Sequence, residues 1–349
     1  MTKLNDVAKK AKVSLATASL ALNDSNLISE KTKNRIKKLA EELNYHPSIY
    51  AQRLARRKSY NICLMLNSDY FFKSSNLYYL RVIGGIIKEA ANSKYSITFA
   101  FYGDKNKLNS NFYSTMDTNF ISNKNFDGII VFDVISKEIL DDLMQKANIP
   151  IVLVDNHLNH PHVYGVDNDD FGGAYKATKY LIELGHKNIG FIGISNTHPL
   201  GRECFNGFLK ALEDSEMKPA LVYDKCKFGI KSGRLAGEEI LSTVRNLPSA
   251  FFCVNDFVAI GAMEAFKKHG LKIPDDCSFI GMDDMDISSE IEPPLTTVRI
   301  EMEKLGQEGL KKLISLIHKN NEQELETINQ LKTVIDNKII VRGSCKSLN

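Results

Sequence analysis

The first 46 residues combine short apolar stripes with polar breaks, a pattern that predicts three small helices. Asn5 is expected to begin the first helix as its N-cap, Ser14 the second and Ser29 the third. Two helices joined by a short turn at Lys12 and braced by a third have the geometry of a helix-turn-helix. The apolar positions that support this prediction are Val7, Ala8 and Ala11 in the first helix, and Ile36, Leu39, Ala40 and Leu43 in the third.

The segment after Pro47 is a short basic helix without an extended apolar stripe. Ser48 can cap it, and its sequence is IYAQRLARRK. Isolated helices of this length are marginal in water, so we expect this one to form fully only against a partner. Residues 47–59 are therefore predicted to be a hinge helix and linker.

From Tyr60 onward the pattern changes to apolar strands that alternate with amphipathic helices. Such alternation is typical of parallel sheets covered by helices on both faces, and the segment is long enough for two α/β lobes. The strand candidates are YNICLML, SITFAF, GIIVF, IPIVLV, NIGFIG, SAFFCV and SFIGM. The clearest helices are LRVIGGIIKEAA, KEILDDLMQKA, ATKYLIEL and AIGAMEAFKKHG.

The charge of the chain is unevenly distributed. The net charge is +3, but residues 1–58 carry 13 basic and 5 acidic side chains, a net +8, which leaves −5 for the rest. A basic head on an acidic body favours a chain that places one end on phosphate, although a solvated basic surface is the alternative.

Composition narrows the class of protein further. No apolar run is long enough to span a membrane and the N-terminus lacks the apolar run of a signal peptide, so we expect a cytoplasmic protein. The six cysteines are scattered without metal-ligand spacing, which favours reduced thiols that pack as small hydrophobes. We expect neither a metal nor a cofactor.

Several segments carry a family resemblance. LNDVAKKAKVSLATASLALN and ISEKTKNRIKKLAEELNYHPSIYAQRLARRKS resemble the N-terminus of the LacI/GalR (lactose-repressor) family. VDNDDFGGAYKATKYLIELGHKNIGFIG, FFCVNDFVAIGAMEAFKKHGLKIPDDCSFIGMDD and EPPLTTVRIEMEKLG resemble the core signatures of the same family. The resemblance covers nearly the whole chain in the right order.

The resemblance implies a homodimer whose subunit has a headpiece, a hinge helix and a core similar to periplasmic sugar-binding proteins. We place the headpiece at residues 1–46 and the core at 60–349. The chain of such a core crosses between its lobes three times, here near 165–166, 296–298 and 331–333. Lobe 1 would then hold about 60–165 and 298–330, and lobe 2 about 166–297 and 331–345.

The second helix of a helix-turn-helix reads DNA bases from its first turns. The reading positions implied by the resemblance are Leu15, Ala16 and Leu20, which can touch thymine methyl groups but cannot pair with a purine. The alternative is that Leu15 and Leu20 face the core of the head. Contacts to the DNA backbone are expected from Ser14, Thr17, Ser19, Asn23, Tyr45, Arg53, Arg56 and Arg57.

Leu54 lies in the middle of the basic hinge helix. By resemblance it wedges into the minor groove at the centre of a palindromic operator, where apolar wedges unstack bases and kink the duplex. Packing between the two hinge helices of a dimer is the alternative. Gln52 stands where relatives often have an arginine, which puts one phosphate contact in doubt.

Polar residues follow the predicted strands of the core. Open α/β sheets bind ligands beyond the carboxyl ends of their strands, so these residues predict a ligand cleft between the lobes. They are Asn67, Ser68 and Asp69, then Asp133, Asp155 and Asn156, and in the other lobe Asn255, Asp256, Asp283 and Asp284.

Carboxylates and amides at such ends suit the hydroxyl groups of a sugar-like effector, and aromatic rings suit its ring face. Asp256 is the exception among these strand-end residues, because we expect it to be the N-cap of the helix FVAIGAMEAF. Cys204 occupies the position of the arginine by which the family binds its effector, and Arg202 is a possible substitute. The residues at or near effector positions are Tyr78, Tyr79, Asp167, Arg202, Phe228, Asn255 and Asp283.

The pattern therefore predicts a DNA-binding transcriptional regulator, a repressor whose operator affinity is controlled by a small molecule. A transport-type solute-binding protein shares the core fold, but the basic head argues against it. We do not expect an enzyme, because the chain has no GxSxG elbow, no P-loop and no GxGxxG that opens a helix after a strand.

Overall fold

The computed structural model describes residues 2–45, 58–68, 77–102, 125–158, 160–318 and 331–349. The headpiece and the core are separate compact units, and each is described by itself. The headpiece contains three helices: α1 Leu4–Ala11, α2 Leu15–Leu22 and α3 Glu30–Glu42. Ser14 and Ser29 cap α2 and α3 as predicted, and their hydroxyl oxygens accept hydrogen bonds from the backbone N–H groups of Thr17 and Thr32.

The start of α1 differs from the prediction. Asn5 lies inside the helix, and Lys3 is the N-cap. The reason is that the Asp6 carboxylate accepts a hydrogen bond from the Lys3 backbone N–H at 2.9 Å, so the helix starts before Asn5. Lys12 ends α1 in a left-handed conformation with φ of 52°, which makes the predicted turn.

The headpiece is closed by a small apolar core that all three helices share. The predicted stripes of α1 and α3 meet in it, which explains why helices this short are stable together. Its buried members are Val7, Ala11, Ala21, Ile36 and Ala40, and the partly buried residues packed on them are Val13, Leu22, Ile28, Leu39, Leu43 and Tyr45.

The core contains two six-stranded sheets. The first sheet has the order β11-β5-β4-β3-β1-β2, and all of its pairs are parallel. Its strands are β1 Asn61–Asn67, β2 Ser96–Tyr102, β3 Gly128–Phe132, β4 Ile151–Val154, β5 Tyr164–Asn168 and β11 Lys332–Ile335. The helices associated with it are α4 Leu77–Asn92, α5 Lys137–Ala147 and α11 Met302–His318.

The second sheet has the order β12-β10-β9-β8-β6-β7, and only its edge strand β12 is antiparallel. Its strands are β6 Ile189–Ile194, β7 Leu221–Cys226, β8 Ala250–Cys253, β9 Ser278–Asp283, β10 Thr296–Arg299 and β12 Lys338–Ile340. The helices of this half are α6 Asp170–Glu183, α7 Pro199–Glu213, α8 Ile230–Thr243, α9 Asp256–Lys268 and the short α10 Ile287–Glu290. None of the described helices is long and apolar enough to cross a membrane.

The chain changes sheets three times, each time a few residues later than predicted. Strand β5 remains in the first sheet through Asn168, and β10 remains in the second through Arg299. Strand β11 belongs to the first sheet, so the last change falls between Ile335 and Lys338 rather than near 331–333. The predicted crossings lie inside strands because their backbones still pair with neighbouring strands there.

Helices α4 and α11 pack against each other in backbone contact. A Cβ placed on Gly85 would lie 2.0 Å from the carbonyl oxygen of Glu303, and one placed on Gly306 would lie 2.0 Å from that of Val82. Because no side chain fits at either point, the two glycines set the distance between the helices. This contact holds α4, whose first turn carries Tyr78, over the first sheet.

This packing generates a prediction with a control on the same helix. Gly85→Ala should lower the free energy of unfolding by about 1–3 kcal/mol, since the added methyl group meets backbone that cannot move aside. Gly84→Ala should raise it by about 0.5–1 kcal/mol, because nothing lies within 4 Å of the added Cβ and alanine favours helix. Urea unfolding of both variants measures the difference, and equal effects would contradict the proposed contact.

Candidate functional site

The outward face of α2 is apolar. Leu15 is 52% exposed and Leu20 is 37% exposed, while the buried residues of the helix are Ala18 and Ala21. The alternative that both leucines face the core of the head is therefore wrong. Ala16 is also exposed, so the three predicted base-reading residues are accessible.

The polar residues around α2 are partly engaged within the headpiece. The Ser14 and Thr17 hydroxyl groups lie 2.8 Å apart at the helix N-terminus. The Asn23 side-chain N–H donates to the carbonyl oxygen of Ser19, and the Tyr45 ring packs on the headpiece core. Asn23 and Tyr45 thus have structural roles, and their contacts to phosphate stay predictions, as do those of Ser14, Thr17 and Ser19.

The hinge residues Leu54, Arg53, Arg56 and Arg57 lie outside the described residues. One exposed residue of the headpiece was missed by the sequence reasoning. Leu27, in the loop between α2 and α3, is 81% exposed. An isolated leucine in a polar loop gave no periodic signal that could have identified it.

The carboxyl ends of β3, β4 and β5 meet at one edge of the first sheet and form a polar cluster with α4 and α6. The Tyr78 hydroxyl donates to Asp155 Oδ2 at 2.7 Å. Asn168 Nδ2 donates to Asp170 Oδ1 at 2.5 Å, and Asn156 Nδ2 donates to the backbone oxygen of Asp133. The cluster matches the predicted cleft, although Asp170 was not among the predicted site residues.

His157 connects the two halves of the core. Its Nε2 lies 3.2 Å from Asp170 Oδ2 and 3.8 Å from Asp155 Oδ1. Asp155 follows β4 of the first sheet, whereas Asp170 begins α6, which packs on the second. The three side chains offer ligand atoms within 4.8 Å of one another, so the same group could also hold a metal ion.

A second ion pair spans the two halves at the rim. Arg81 on α4 lies 2.5 Å from Asp286, just before α10. The His157–Asp170 and Arg81–Asp286 pairs each join a residue of the first lobe to a residue of the second. Both pairs therefore tie the lobes together at the side of the cleft. Local sequence patterns do not indicate the Arg81–Asp286 pair, because its partners are 205 residues apart.

Asp167, a predicted effector residue, has protein partners on both carboxylate oxygens. Oδ1 accepts a hydrogen bond from the Asn156 backbone at 3.0 Å, and Oδ2 lies 2.6 Å from the Lys332 ammonium. It also lines a groove of about 330 Å³ between β4, β5 and the start of β11. Its observed contacts are structural, and its contact to an effector stays a prediction.

The backbone at the strand ends is held in an unusual conformation. Positive φ angles occur at Asp133 (71°), Asp155 (53°), His157 (61°), Asp283 (123°) and Asp284 (57°). Each costs a non-glycine residue about 1–3 kcal/mol, and residues of this kind cluster at ligand sites. Five such residues after three strands indicate that the rest of the fold fixes the direction of these side chains.

The second lobe contributes three carboxyl groups with different roles. Asn255, rather than Asp256, is the N-cap of α9, and its Oδ1 accepts from the Val258 backbone at 2.9 Å. The prediction for Asp256 was wrong because its carboxylate is fully buried and accepts hydrogen bonds from Met285, Ser288 and Thr297.

The other two carboxyl groups of this lobe, those of Asp284 and Asp283, have different surroundings. Asp284 binds Arg299 at 2.6 Å and Arg342 at 2.5 Å, which fixes the loop after β9. Burial, and then the charges of Asp256, Asp170 and Asp155, raise the pKa of the Asp283 carboxyl group well above its ordinary value. Asp283 therefore stays the strongest effector-binding prediction of this lobe.

The aromatic predictions separate into two groups. Tyr79 is only 7% exposed and packs on Phe132, with ring centroids 4.8 Å apart, so it belongs to the core. Phe228 is 41% exposed and contacts the edge of the His198 ring at 5.7 Å. A ligand ring can therefore stack on Phe228 but not on Tyr79.

Helix α7 carries Cys204, which occupies the position of the family's effector-binding arginine, and Arg202, the suggested substitute. Arg202 is half exposed, with its Nε 3.9 Å from Glu203. Cys204 is fully buried, and burial together with the charges of Asp170 and Asp283 raises the pKa of its thiol well above the ordinary value. A thiol with a raised pKa is unreactive, which argues against a redox role for Cys204.

Burial dominates the electrostatics of the cleft. It raises the pKa of Asp133 to about 7 against the hydrogen bond from the Val134 backbone, and that of Asp170 to about 7 against the charge of His157. Burial lowers the pKa of His157, but the charges of Asp170 and Asp155 outweigh it and leave the pKa above its ordinary value. The site thus holds excess carboxylate around one shared imidazole.

Comparison with known proteins gives matches along the whole chain. Residues 3–48 match the family described as bacterial regulatory proteins, lacI family, and residues 178–345 match the periplasmic binding protein-like domain. The "Probable HTH-type transcriptional repressor ExuR" of Bacillus subtilis (strain 168) is 33% identical over 100% of this chain and 99% of its own length.

Solved structures show the same fold. A lac repressor dimer bound to operator and the anti-inducer ONPF has a TM-score of 0.81 at 22% identity, with 99% of each chain covered. The transcriptional regulator CelR in complex with cellobiose has a TM-score of 0.69 at 24% identity, over 99% of this chain and 100% of its own.

The raised pKa of Asp133 predicts how stability changes with pH. Between about pH 4 and pH 7 the folded chain holds a proton on Asp133 that the unfolded chain has released, so raising the pH lowers the free energy of unfolding. Asp133→Asn should remove this contribution, and the variant should gain about 2 kcal/mol relative to the parent protein between pH 5 and pH 8. Urea unfolding at both pH values measures it, with the exposed Asp275→Asn as control. A constant difference between Asp133→Asn and the parent would refute the assignment.

Proposed function

Because this chain belongs to the LacI family of bacterial regulatory proteins, we propose that it is a transcriptional repressor whose operator affinity is controlled by a small molecule. The observation that carries the proposal is the exposed apolar face of α2 on a basic helix-turn-helix, in a chain whose full length aligns with a named repressor. We infer no catalytic role.

The proposed interaction with DNA places α2 in the major groove. Leu15, Ala16 and Leu20 would contact thymine methyl groups, while the hydroxyl groups of Ser14 and Thr17 would bind phosphate beside them. Leu54 would enter the minor groove at the centre of the operator. The lac repressor match is a dimer on its operator, which supports a homodimer and a palindromic site for this chain. A repressor acts where the DNA is, which supports a cytoplasmic location as part of this proposal.

The proposed effector binds between the two sheets of the core and is sugar-like. CelR was solved with cellobiose, which supports this class of ligand for the shared fold. Tyr78 and Asp283 would contact it from opposite lobes, with Phe228 as a stacking surface and the Asn255 side-chain N–H as a donor. A ligand that bridges the lobes changes the balance between their closed and open arrangements, and this change is the means of control.

The basic headpiece predicts a steep dependence of DNA binding on salt. Each phosphate contact adds about −0.9 to the slope of log affinity against log salt concentration, so two headpieces should give a total beyond about −4. The operator duplex is first selected from a random library. Fluorescence anisotropy with this duplex then measures the slope between about 50 and about 200 mM salt. A flat salt dependence, or retained binding after deletion of residues 2–58, would sink the proposed DNA interface.

The exposed leucines predict a loss of sequence discrimination. Leu20→Ala and Leu15→Ala should each weaken binding to the selected operator about tenfold, which is about 1.4 kcal/mol. Affinity for random duplex should change much less, since phosphate contacts are retained. Leu235→Ala, an exposed leucine of the core, is the control. Equal losses on both duplexes would show that the leucines stabilise the head rather than read bases.

A further inference from the structure

Three buried acceptor oxygens in the cleft have no hydrogen-bond donor among the described residues. They are Asp133 Oδ2, Asn156 Oδ1 and Asn168 Oδ1. Among the described residues, the other buried side-chain oxygens of this kind are Asn23 Oδ1 and Asn337 Oδ1, so three of the five are concentrated at this one place. Buried polar atoms in native proteins are normally paired, which makes such a concentration a sign of a missing partner.

The orientation of these oxygens is fixed by the fold. Strands β3, β4 and β5 are parallel neighbours, so the residues that follow them lie side by side. The Asn156 side-chain N–H donates to the backbone oxygen of Asp133, and the Asn168 side-chain N–H donates to Asp170 Oδ1. Each amide thus uses its donor within the protein and leaves its oxygen for a donor from elsewhere.

Carboxyl groups outnumber cations around these oxygens. Asp133, Asp155, Asp170 and Asp283 influence one another or His157 electrostatically, and His157 is the cation shared by Asp155 and Asp170. Lys332 is committed to Asp167. Arg81 is paired with Asp286 at the rim, and the half-exposed Arg202 lies 3.9 Å from Glu203.

At the position of Cys204, helix α7 supplies a thiol and not the positive charge of an arginine. Its Cys204 thiol is buried near Asp170 and Asp283, whose charges contribute to the raised pKa of the thiol. A neutral thiol cannot offset a buried carboxylate, which needs hydrogen-bond donors or a cation. The missing partner must therefore bring donors, and positive charge favours it further.

We propose that the effector is a polyol ring that carries a protonated amine, as an amino sugar does. Its ammonium and hydroxyl groups donate to the three orphan oxygens, and its charge stabilises the ionised form of the surrounding carboxyl groups. An anionic ring such as a uronic acid or a sugar phosphate fits this site less well, because it adds acceptors where carboxyl groups already outnumber cations. The inference rests on the proposed function, since it assigns the ligand of that same cleft.

The test uses the full chain and matched sets of pyranoses in the gluco, galacto and manno configurations. Each set contains the 2-amino sugar, the parent sugar, the N-acetyl derivative, the uronic acid and the 6-phosphate. Thermal unfolding at pH 7 followed by calorimetric titration gives the affinities. We expect one amino sugar to bind at least about tenfold more tightly than its neutral parent and its N-acetyl derivative.

Variants of cleft residues test whether the preference for an amino sugar arises in the cleft. Asp133→Asn and Asp170→Asn should each reduce amino-sugar affinity about tenfold or more while affecting the neutral parent sugar little. Asp275→Asn should change neither affinity, and the use of two independent variants covers the case in which one fails to fold. Tighter binding of a uronic acid, a phosphate or a neutral sugar would overturn the inference. So would the absence of binding by every amino sugar, or stabilisation by Mn²⁺ or Zn²⁺ chloride alone.

Operator affinity measured in the same solutions separates this inference from the proposed function. If a neutral or anionic sugar changes operator affinity, the repressor assignment stands and the amino-sugar inference fails. If an amino sugar binds the cleft and the protein binds no DNA sequence preferentially with or without it, the ligand inference stands and the repressor assignment fails.

Discussion

The ligand cleft depends on the parallel direction of the strands in both sheets. Parallel strands all end at the same edge, so the residues that follow them are brought together without any attraction between them. Asp133, Asp155 and Asp170 gather in this way at the end of the first sheet, and Asp283 at the end of the second. The apolar strands, 128–132 being completely buried, provide the energy that holds these like charges near one another.

The two lobes use their carboxylates for different purposes. Asp256 and Asp284 are saturated by donors, from Ser288, Thr297 and two arginines, and so fasten the loop after β9 to β10 and to the C-terminal segment. Across the cleft, Asp133 keeps a buried oxygen without a donor among the described residues. A buried carboxylate with enough partners stabilises structure, whereas one that lacks them stores free energy that a ligand can recover.

The fold could be predicted largely from the sequence because its central strands are fully buried and therefore continuously apolar. All seven predicted strands exist, whereas β5, β7, β10, β11 and β12 were not found. Strand β5 ends in Asp167 and Asn168, and β11 and β12 are short edge strands with exposed residues, so neither apolar runs nor alternation marked them. Asp133, Asp155 and Asp283 could be predicted as strand-end residues because the strands that they end were predicted.

The contacts within the cleft could not be predicted, because they depend on distances between segments. Nothing in the local pattern indicates that His157 meets Asp170, or that Asn255 rather than Asp256 caps α9. Resemblance supplied Tyr79 and Asp167 as effector residues, but burial against Phe132 and pairing with Lys332 give them structural roles here. Such roles depend on which side chains lie nearby in space, and a single sequence does not show those neighbours.

The order in which the chain fills its two sheets constrains how it folds during synthesis. Strand β11 completes the first sheet and β12 the second, and both follow α11, whose contact with α4 joins segments more than two hundred residues apart. Neither lobe can therefore reach its full set of strands while the ribosome still holds the last part of the chain. The headpiece contains only local contacts and can fold as soon as it emerges. A nascent chain would thus present a folded DNA-binding head before it has a ligand cleft to control it.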